Sequence, residues 1–242
     1  MDDPKKLLFL DVDGVLNSSA FYKSDFHKQE REKYGAEARQ YDLKKLDLLK
    51  EIHDRTNCTI VMSSSWRASY FDPDSKSRLG CGCMSLHKDL EDRGIIINYR
   101  TGNEYDEKLY AIYNGCKWVK DEDGNYHTEW VEPEDRVWVE RTEFYDRGLQ
   151  IKVFKEDWEK EHGEVAFAIL DDDDGDLSCF NMDGYERFVQ TSWYKEKEDE
   201  AGLTPELVEK CIKILNDPNF PDFNAFWKEH LKNLKQTNIR LY

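Results

Sequence analysis

The sequence predicts an α/β protein, a doubly wound parallel sheet with a small, mainly β insertion. Three observations carry that expectation. Short apolar runs without polar alternation recur along the chain and alternate with segments of helical periodicity, as βαβ units require. Several of these runs stop abruptly in carboxylates or serines, the pattern of strand ends at a ligand-binding edge. Between residues 102 and 146 the character changes to alternating polar and aromatic residues.

The elements follow in order. Residues 7–10 (Leu-Leu-Phe-Leu) read as a strand buried on both faces, ending in Asp11-Val12-Asp13-Gly14. Residues 18–40 are polar with Phe21, Tyr22, Phe26 and Tyr34, an irregular or helical excursion over the strand ends. Leu43, Leu46, Leu49 and Ile52 recur at helical spacing over 42–54, with Asp42 as N-cap. A second strand, 59–62, runs into Ser63-Ser64-Ser65-Trp66-Arg67. A helix over 86–93 ends at Gly94 and a third strand occupies 95–99. Within 102–146, residues 117–120 and 126–131 pair as a hairpin around an acidic turn, and 137–140 adds a strand. Helix 147–162 carries Ile151, Phe154 and Trp158 on one face. Strand 165–170 ends in the run Asp171–Asp174, and 188–191 is a fifth strand. Thr204-Pro205 opens a helix, and a last helix presents Phe223, Phe226, Trp227, Leu231 and Leu234. The expected division is a core of 1–101 and 147–242 with 102–146 as a cap-like insertion.

Hydrophobic residues make up only 39% of the chain, yet 7 Trp, 13 Tyr and 12 Phe supply large contact areas for a core. The net charge of −16 disfavours nucleic acid and anionic membranes as partners. No leader-like N-terminus and no membrane-length apolar run is visible, so a cytoplasmic protein is expected. The six cysteines follow no secreted disulfide pattern, and unpaired thiols are the default. Cys81, Cys83, His87 and Cys116 form an alternative zinc set whose spacing matches none of the common fingers.

The chemistry begins at Asp11 and Asp13. On an extended chain, side chains at i and i+2 point the same way. Two carboxylates leaving a strand together repel unless a cation lies between them or one is protonated. A hard cation such as Mg²⁺ takes oxygen ligands and commonly arrives with a phosphate. One aspartate is then free to attack phosphorus and the other to handle the leaving group's proton. The simpler reading is a turn, since Asp-Gly favours one. An EF-hand register fails for the later acidic run, because Gly175 at position six would put Leu170 at position one. Right-handed crossovers bring Asp11 and Asp13, the serine triplet and the aspartate run to one edge of the sheet, and that convergence outweighs any single motif.

On these residues the chain resembles the haloacid dehalogenase (HAD) superfamily, chiefly its phosphatase branch. Asp11-Val12-Asp13-Gly14-Val15 matches the first motif, and the serines after Val61-Met62 match the second. Arg147-Gly148 matches the basic residue opening a later helix, and Ile169-Leu170-Asp171-Asp172 the final acidic motif. More narrowly, the segments around Asn17, Trp66, Asp172 and Leu203 are similar to a group of phage and bacterial domains related to the phosphatase-like domain of multifunctional RNA-repair proteins. The resemblance implies Asp11 as nucleophile through an aspartyl-phosphate and Asp13 as acid and base. It implies Mg²⁺ held by Asp11, the Asp13 backbone carbonyl, Asp172 and Asp171. It also implies a phosphate contact from Ser64 or Ser63, and a cation from Arg147 or Lys152. Asn17 either contacts substrate or turns the chain. Arg67 either binds substrate or makes a structural ion pair, and Trp66 either shapes the pocket or belongs to the core.

The expected activity is a Mg²⁺-dependent phosphomonoesterase acting on a nucleotide or other small phosphorylated substrate. One alternative is a nucleic-acid 3′-phosphatase served by a basic strip of Arg67, Arg78, Arg93 and Arg100. Another is a nucleotide- or partner-binding protein on the same core.

Overall fold

In the computed structural model, residues 6–71, 80–102, 116–120, 126–130, 146–173, 177, 180–182 and 185–217 are described. The first apolar run forms β1 (Lys6–Leu10), followed by α1 (Ser19–Lys23), α2 (Asp25–Tyr34) and a 3-10 turn (Gly35–Glu37). Next come α3 (Leu43–Thr56), β2 (Thr59–Met62), α4 (Arg67–Tyr70), α5 (Gly80–Glu91) and β3 (Tyr99–Arg100). The hairpin β4 (Cys116–Lys120) and β5 (Tyr126–Trp130) precedes α6 (Asp146–His162) and β6 (Ala166–Asp171). The described residues end with β7 (Asn181–Met182), β8 (Tyr185–Glu186), β9 (Phe188–Gln190) and α7 (Pro205–Leu215).

Strands β3-β2-β1-β6-β9 form one sheet in that order, every pair parallel. Its two faces have separate cores, and the pleat decides which residue goes where. Leu8, Leu10, Ile60, Met62, Ala168 and Leu170 pack with side chains of α3, α5 and α7. Their neighbours Leu7, Phe9, Val61, Phe167 and Ile169 pack with Ile151, Phe154 and Trp158 of α6. Burial on both faces explains why these strands read as continuous apolar runs. Each fully buried Leu or Phe contributes about 1.5–3 kcal/mol. Phe9 also meets Phe154 and Phe167 edge-on, with ring centroids 5.8 and 6.1 Å apart.

Helix starts follow the expected caps. The Asp42 side chain accepts from Lys44 N at 2.9 Å, and the Thr204 hydroxyl from Leu207 N at 3.4 Å. Two expectations need correction. The third strand is β3, not 95–99: Ile95 and Ile97 are buried and Ile96 is exposed, but 95–98 has no ladder. Ile95 N instead bonds Leu90 O at 2.9 Å behind Gly94, whose φ is +76°, so strand-like alternation arises in a helix exit. The preceding helix begins at Gly80 rather than 86. The hairpin pairs antiparallel as expected, Cys116 opposite Trp130. The strand at 137–140 and the last helix fall outside the described residues.

Candidate active site

The sheet's carboxyl edge is extended by one hydrogen bond beyond β1, β2, β3 and β9. Ser63 N bonds Leu10 O (2.9 Å), Asp11 N bonds Leu170 O (2.9 Å), Thr101 N bonds Met62 O (3.0 Å) and Thr191 N bonds Asp171 O (2.8 Å). Residues just past the strands therefore hold the strands' register. Asp171, two after Ile169 in β6, continues the face that packs on α6. Asp11 stands two after Phe9 of the same face. Helix α6 opens at Asp146, so Arg147 lies in its first turn, where the helix end also favours negative charge. The Arg147 Nη1 is 2.5 Å from Asp171 Oδ2 and 3.5 Å from Asp11 Oδ1. The Ser64 hydroxyl donates to the Asp11 carboxylate. Asp11 is 3% exposed, and Asp171 and Ser64 are fully buried.

Asp172 completes an acidic triad. One carboxylate oxygen from each of Asp11, Asp171 and Asp172 lies within 4.8 Å of the others. Asp172 comes this close because residue 14 is glycine: a Cβ there would stand 2.1 Å from Asp172 Cγ, and the Gly14 φ of +74° also excludes most side chains. Burial raises the Asp11 carboxyl to about 7, helped by Asp171 and opposed by Arg147 and the Ser64 hydrogen bond. Burial likewise raises Asp171, against the pull of Arg147, and lifts Asp172 to about 6 with Asp171 adding to the effect. Three carboxylates with one guanidinium leave excess negative charge. An all-oxygen set of this kind fits a hard divalent cation such as Mg²⁺.

Asp13 is not one of that group, although its charge adds slightly to the rise of Asp11, which corrects the expectation that both aspartates leave the strand side by side. The strand stops at Leu10 and the chain turns, with Leu16 N bonding Val12 O at 2.8 Å. The i, i+2 rule holds only while the backbone is extended. The Asp13 Oδ1 accepts from Asn17 Nδ2 (2.9 Å) and Oδ2 from the Trp66 indole Nε1 (3.0 Å).

The other expected residues occupy varied positions. Asn17 is 1% exposed. Its Oδ1 accepts from Gly14 N (2.9 Å), and its Nδ2 also lies near Tyr22 Oη (3.2 Å) and Gln40 O (3.0 Å). It therefore orients Asp13 rather than facing a substrate. Arg67 turns inward, its Nη1 donating to Ser63 O (3.2 Å) and Ser64 O (2.7 Å) and its Nη2 to Gln150 Oε1 (3.1 Å). That holds the serine backbone in place and differs from the expected substrate contact. Ser63 is buried, and its hydroxyl has no hydrogen-bond partner among the described residues. Lys152, a turn beyond Arg147, lies 3.3 Å from Glu156. In the alternative zinc set, Cys83 is buried with its thiol 3.7 Å from Trp66 O, while His87 Nε2 is 3.3 Å from Glu91. The side chains of Cys81 and Cys116, and residues Asp174 and Asp176, fall outside the description.

Several supporting contacts escape sequence reasoning. Thr191 Oγ1 donates to Gly14 O at 2.7 Å, and Leu203 N to Val15 O at 2.9 Å. A Cβ on Gly202 would approach Val15 O to 2.7 Å. The Gly-Leu-Thr segment that opens α7 thus also clamps the turn after Asp11. Its glycine ahead of an N-cap threonine is the only local signal.

Residues 7–93 match the family model described as HAD domain in Swiss Army Knife RNA repair proteins. That span contains Asp11, Asp13, Ser63, Ser64, Trp66 and Arg67, while Arg147, Asp171 and Asp172 join them through the fold. No curated protein and no solved structure matches the chain. A HAD domain points to phosphatase-type hydrolase chemistry on phosphorylated substrates. The match over residues 7–93, the parallel sheet and the acidic edge together support a HAD superfamily protein related to the RNA-repair proteins.

Proposed function

We propose that the protein is a Mg²⁺-dependent phosphomonoesterase that works through an aspartyl-phosphate on Asp11. The convergence of Asp11, Asp171, Asp172 and Arg147 on one sheet edge carries this reading. The substrate is a nucleotide or another small phosphomonoester. Asp11, Asp171, Asp172 and the Asp13 backbone carbonyl would hold Mg²⁺, which would supply charge stabilisation to the phosphoryl oxygens when bound.

The chain's own residues divide the remaining work. The Asp11 carboxylate forms the new bond to phosphorus as the ester bond breaks, and Asp13 gives its proton to the departing oxygen. Asp13, now a carboxylate, takes a proton from water as the water oxygen attacks phosphorus and the bond to Asp11 breaks. Arg147 offsets the phosphate's charge, and Ser64 holds Asp11 until a phosphoryl oxygen takes its hydrogen bond. Arg147 is preferred to Lys152 as the cation because it reaches Asp11, whereas Lys152 meets Glu156. We assign 102–146 to substrate selection as a cap on a core of 1–101 and 147–242.

A second reading, a phosphatase for nucleic-acid 3′ ends, is favoured by the description of the matching family. The net charge of −16 opposes it. So does the proposed basic strip: Arg93 pairs with Asp47 at 2.7 Å, and Arg67 is turned inward.

A phosphate-release screen over nucleotides, sugar phosphates and 3′- or 5′-phosphorylated oligonucleotides, with and without Mg²⁺, tests both. Release from small esters that disappears in Asp11→Asn supports the leading reading. Selective release from oligonucleotide ends, weakening with salt, supports the second. No release from any compound rejects both and leaves a binding role for this edge of the sheet.

A further inference from the structure

Asp13 is held by neutral donors, one on each carboxylate oxygen, and both donors belong to residues that are 1% exposed. The terminal torsion of an aspartate is soft, so a single bond leaves the carboxylate free to swivel. Two bonds from separate parts of the fold fix its plane. Asn17 comes from the turn after β1, with its amide orientation set by Gly14 N–H donating to its oxygen. Trp66 comes from beyond β2, with its ring in the core shared by α3, α5 and α7. The far edge of that ring lies 3.4 Å from where a Cβ on Gly82 of α5 would stand, so the indole cannot drift that way. An indole N–H donates and never accepts, so its bond to Asp13 has one direction.

We propose that Trp66 is a positioning residue for proton transfer: its indole N–H, opposite Asn17, fixes the Asp13 carboxyl so that the lone pairs left open are the ones that carry the proton. This rests on the phosphatase reading above. The affected step is the one in which Asp13 loses a proton to the ester oxygen while that oxygen's bond to phosphorus breaks and the bond from Asp11 forms. Without the indole N–H the carboxyl swivels about the Asn17 bond, and the proton is misplaced. The loss must therefore depend on how much the leaving group needs a proton.

The full chain and Trp66→Phe are compared with Mg²⁺ on p-nitrophenyl phosphate, whose phenolate leaves without help, and on glycerol phosphate, whose alkoxide does not. Since kcat/KM reports transfer to Asp11, it should fall on the order of 10–100-fold for the alkyl ester and far less for the aryl ester. In an Asp13→Asn background, Trp66→Phe should add nothing further. Equal falls for both esters, no fall, a rise, or an additive loss in the double variant would each overturn the proposal. Wild type that releases phosphate from neither ester condemns the phosphatase reading itself, before any variant is compared. If Trp66→Phe does not fold, the near-isosteric Asp13→Asn still tests the contact. Among the indole N–H signals of the seven tryptophans, one should move strongly. If none moves, the proposal fails.

Discussion

Asp11 and Asp13 are two residues apart, yet they occupy opposite electrostatic settings. Asp11 lies on the α6 side, fully enclosed with Asp171, beside Asp172, and balanced by the Arg147 charge and the Ser64 hydroxyl. The Asp13 carboxylate is held by the neutral N–H groups of Trp66 and Asn17, and its charge is the smallest of the influences on Asp11. Crowded carboxylates bind cations and present a nucleophile to phosphorus. A carboxylate held by dipoles keeps its geometry whether or not it carries a proton. In the proposed mechanism, one turn of chain thus separates a charge-handling group from a proton-handling group, and the stop of β1 at Leu10 makes the separation.

The largest effect should come from the charge-handling side. Asp11→Asn keeps the shape and removes the nucleophile, so phosphate release should fall on the order of 10⁴-fold or more. Trapping with radiolabelled substrate should then yield no acid-stable label on the protein. Retention of turnover would mean that water attacks directly and that the two sides are not divided as described. Asp13→Asn should cost about 10²–10⁴ in kcat/KM for alkyl esters and much less for aryl esters. An equal loss for both would erase the contrast between the aspartates.

Most of the core was legible because burial on both faces leaves an unbroken apolar run, as in residues 7–10 and 59–62. Residues 95–98 misled because buried alternation also arises without a ladder, when a helix exit lays Ile95 and Ile97 on the core. At the site, Asp11, Asp171, Asp172 and Arg147 could be grouped from their positions at element ends. The partners of Asp13 could not be fixed in this way. Trp66 looks equally like a core residue and a pocket residue, and it serves as both, with its ring packed and its N–H on Asp13. Asn17 and Arg67 look like ligand-binding groups because polar residues beside a motif usually face solvent. Here their bonds run inward to backbone and carboxylate, a choice made by the turn geometry.

Gly14→Ala is a smaller perturbation that reaches both sides at once. The added methyl would strike Asp172 at 2.1 Å and strain a backbone at φ +74°. Expected effects are a loss of about 1–3 kcal/mol in stability and weaker Mg²⁺ binding. Calorimetric titration and thermal melts would show both. Asn17 and Trp66 should still hold Asp13, so the leaving-group dependence should survive in whatever activity remains. Its disappearance would show that the two settings are mechanically one.

The smallest expected effect concerns pH in the absence of metal. Asp11 and Asp172 are raised from 3.8 to about 7 and about 6, chiefly by burial. A group raised on folding contributes stability that is full below its unfolded value and lost as pH climbs through its folded value. Metal-free protein should therefore melt at progressively lower temperature as pH rises between about 4 and 7. A cation bound to the deprotonated carboxylates removes that penalty, so the rise in melting temperature on adding Mg²⁺ should grow over the same interval and level off above it. Near pH 6, Mg²⁺ binding should also release protons, measurable as a buffer-dependent binding enthalpy. Asp13→Asn should change this behaviour only slightly, whereas Asp172→Asn should remove the Asp172 part of it. If Asp13→Asn flattens it equally, both aspartates belong to one charged cluster and the division between them fails.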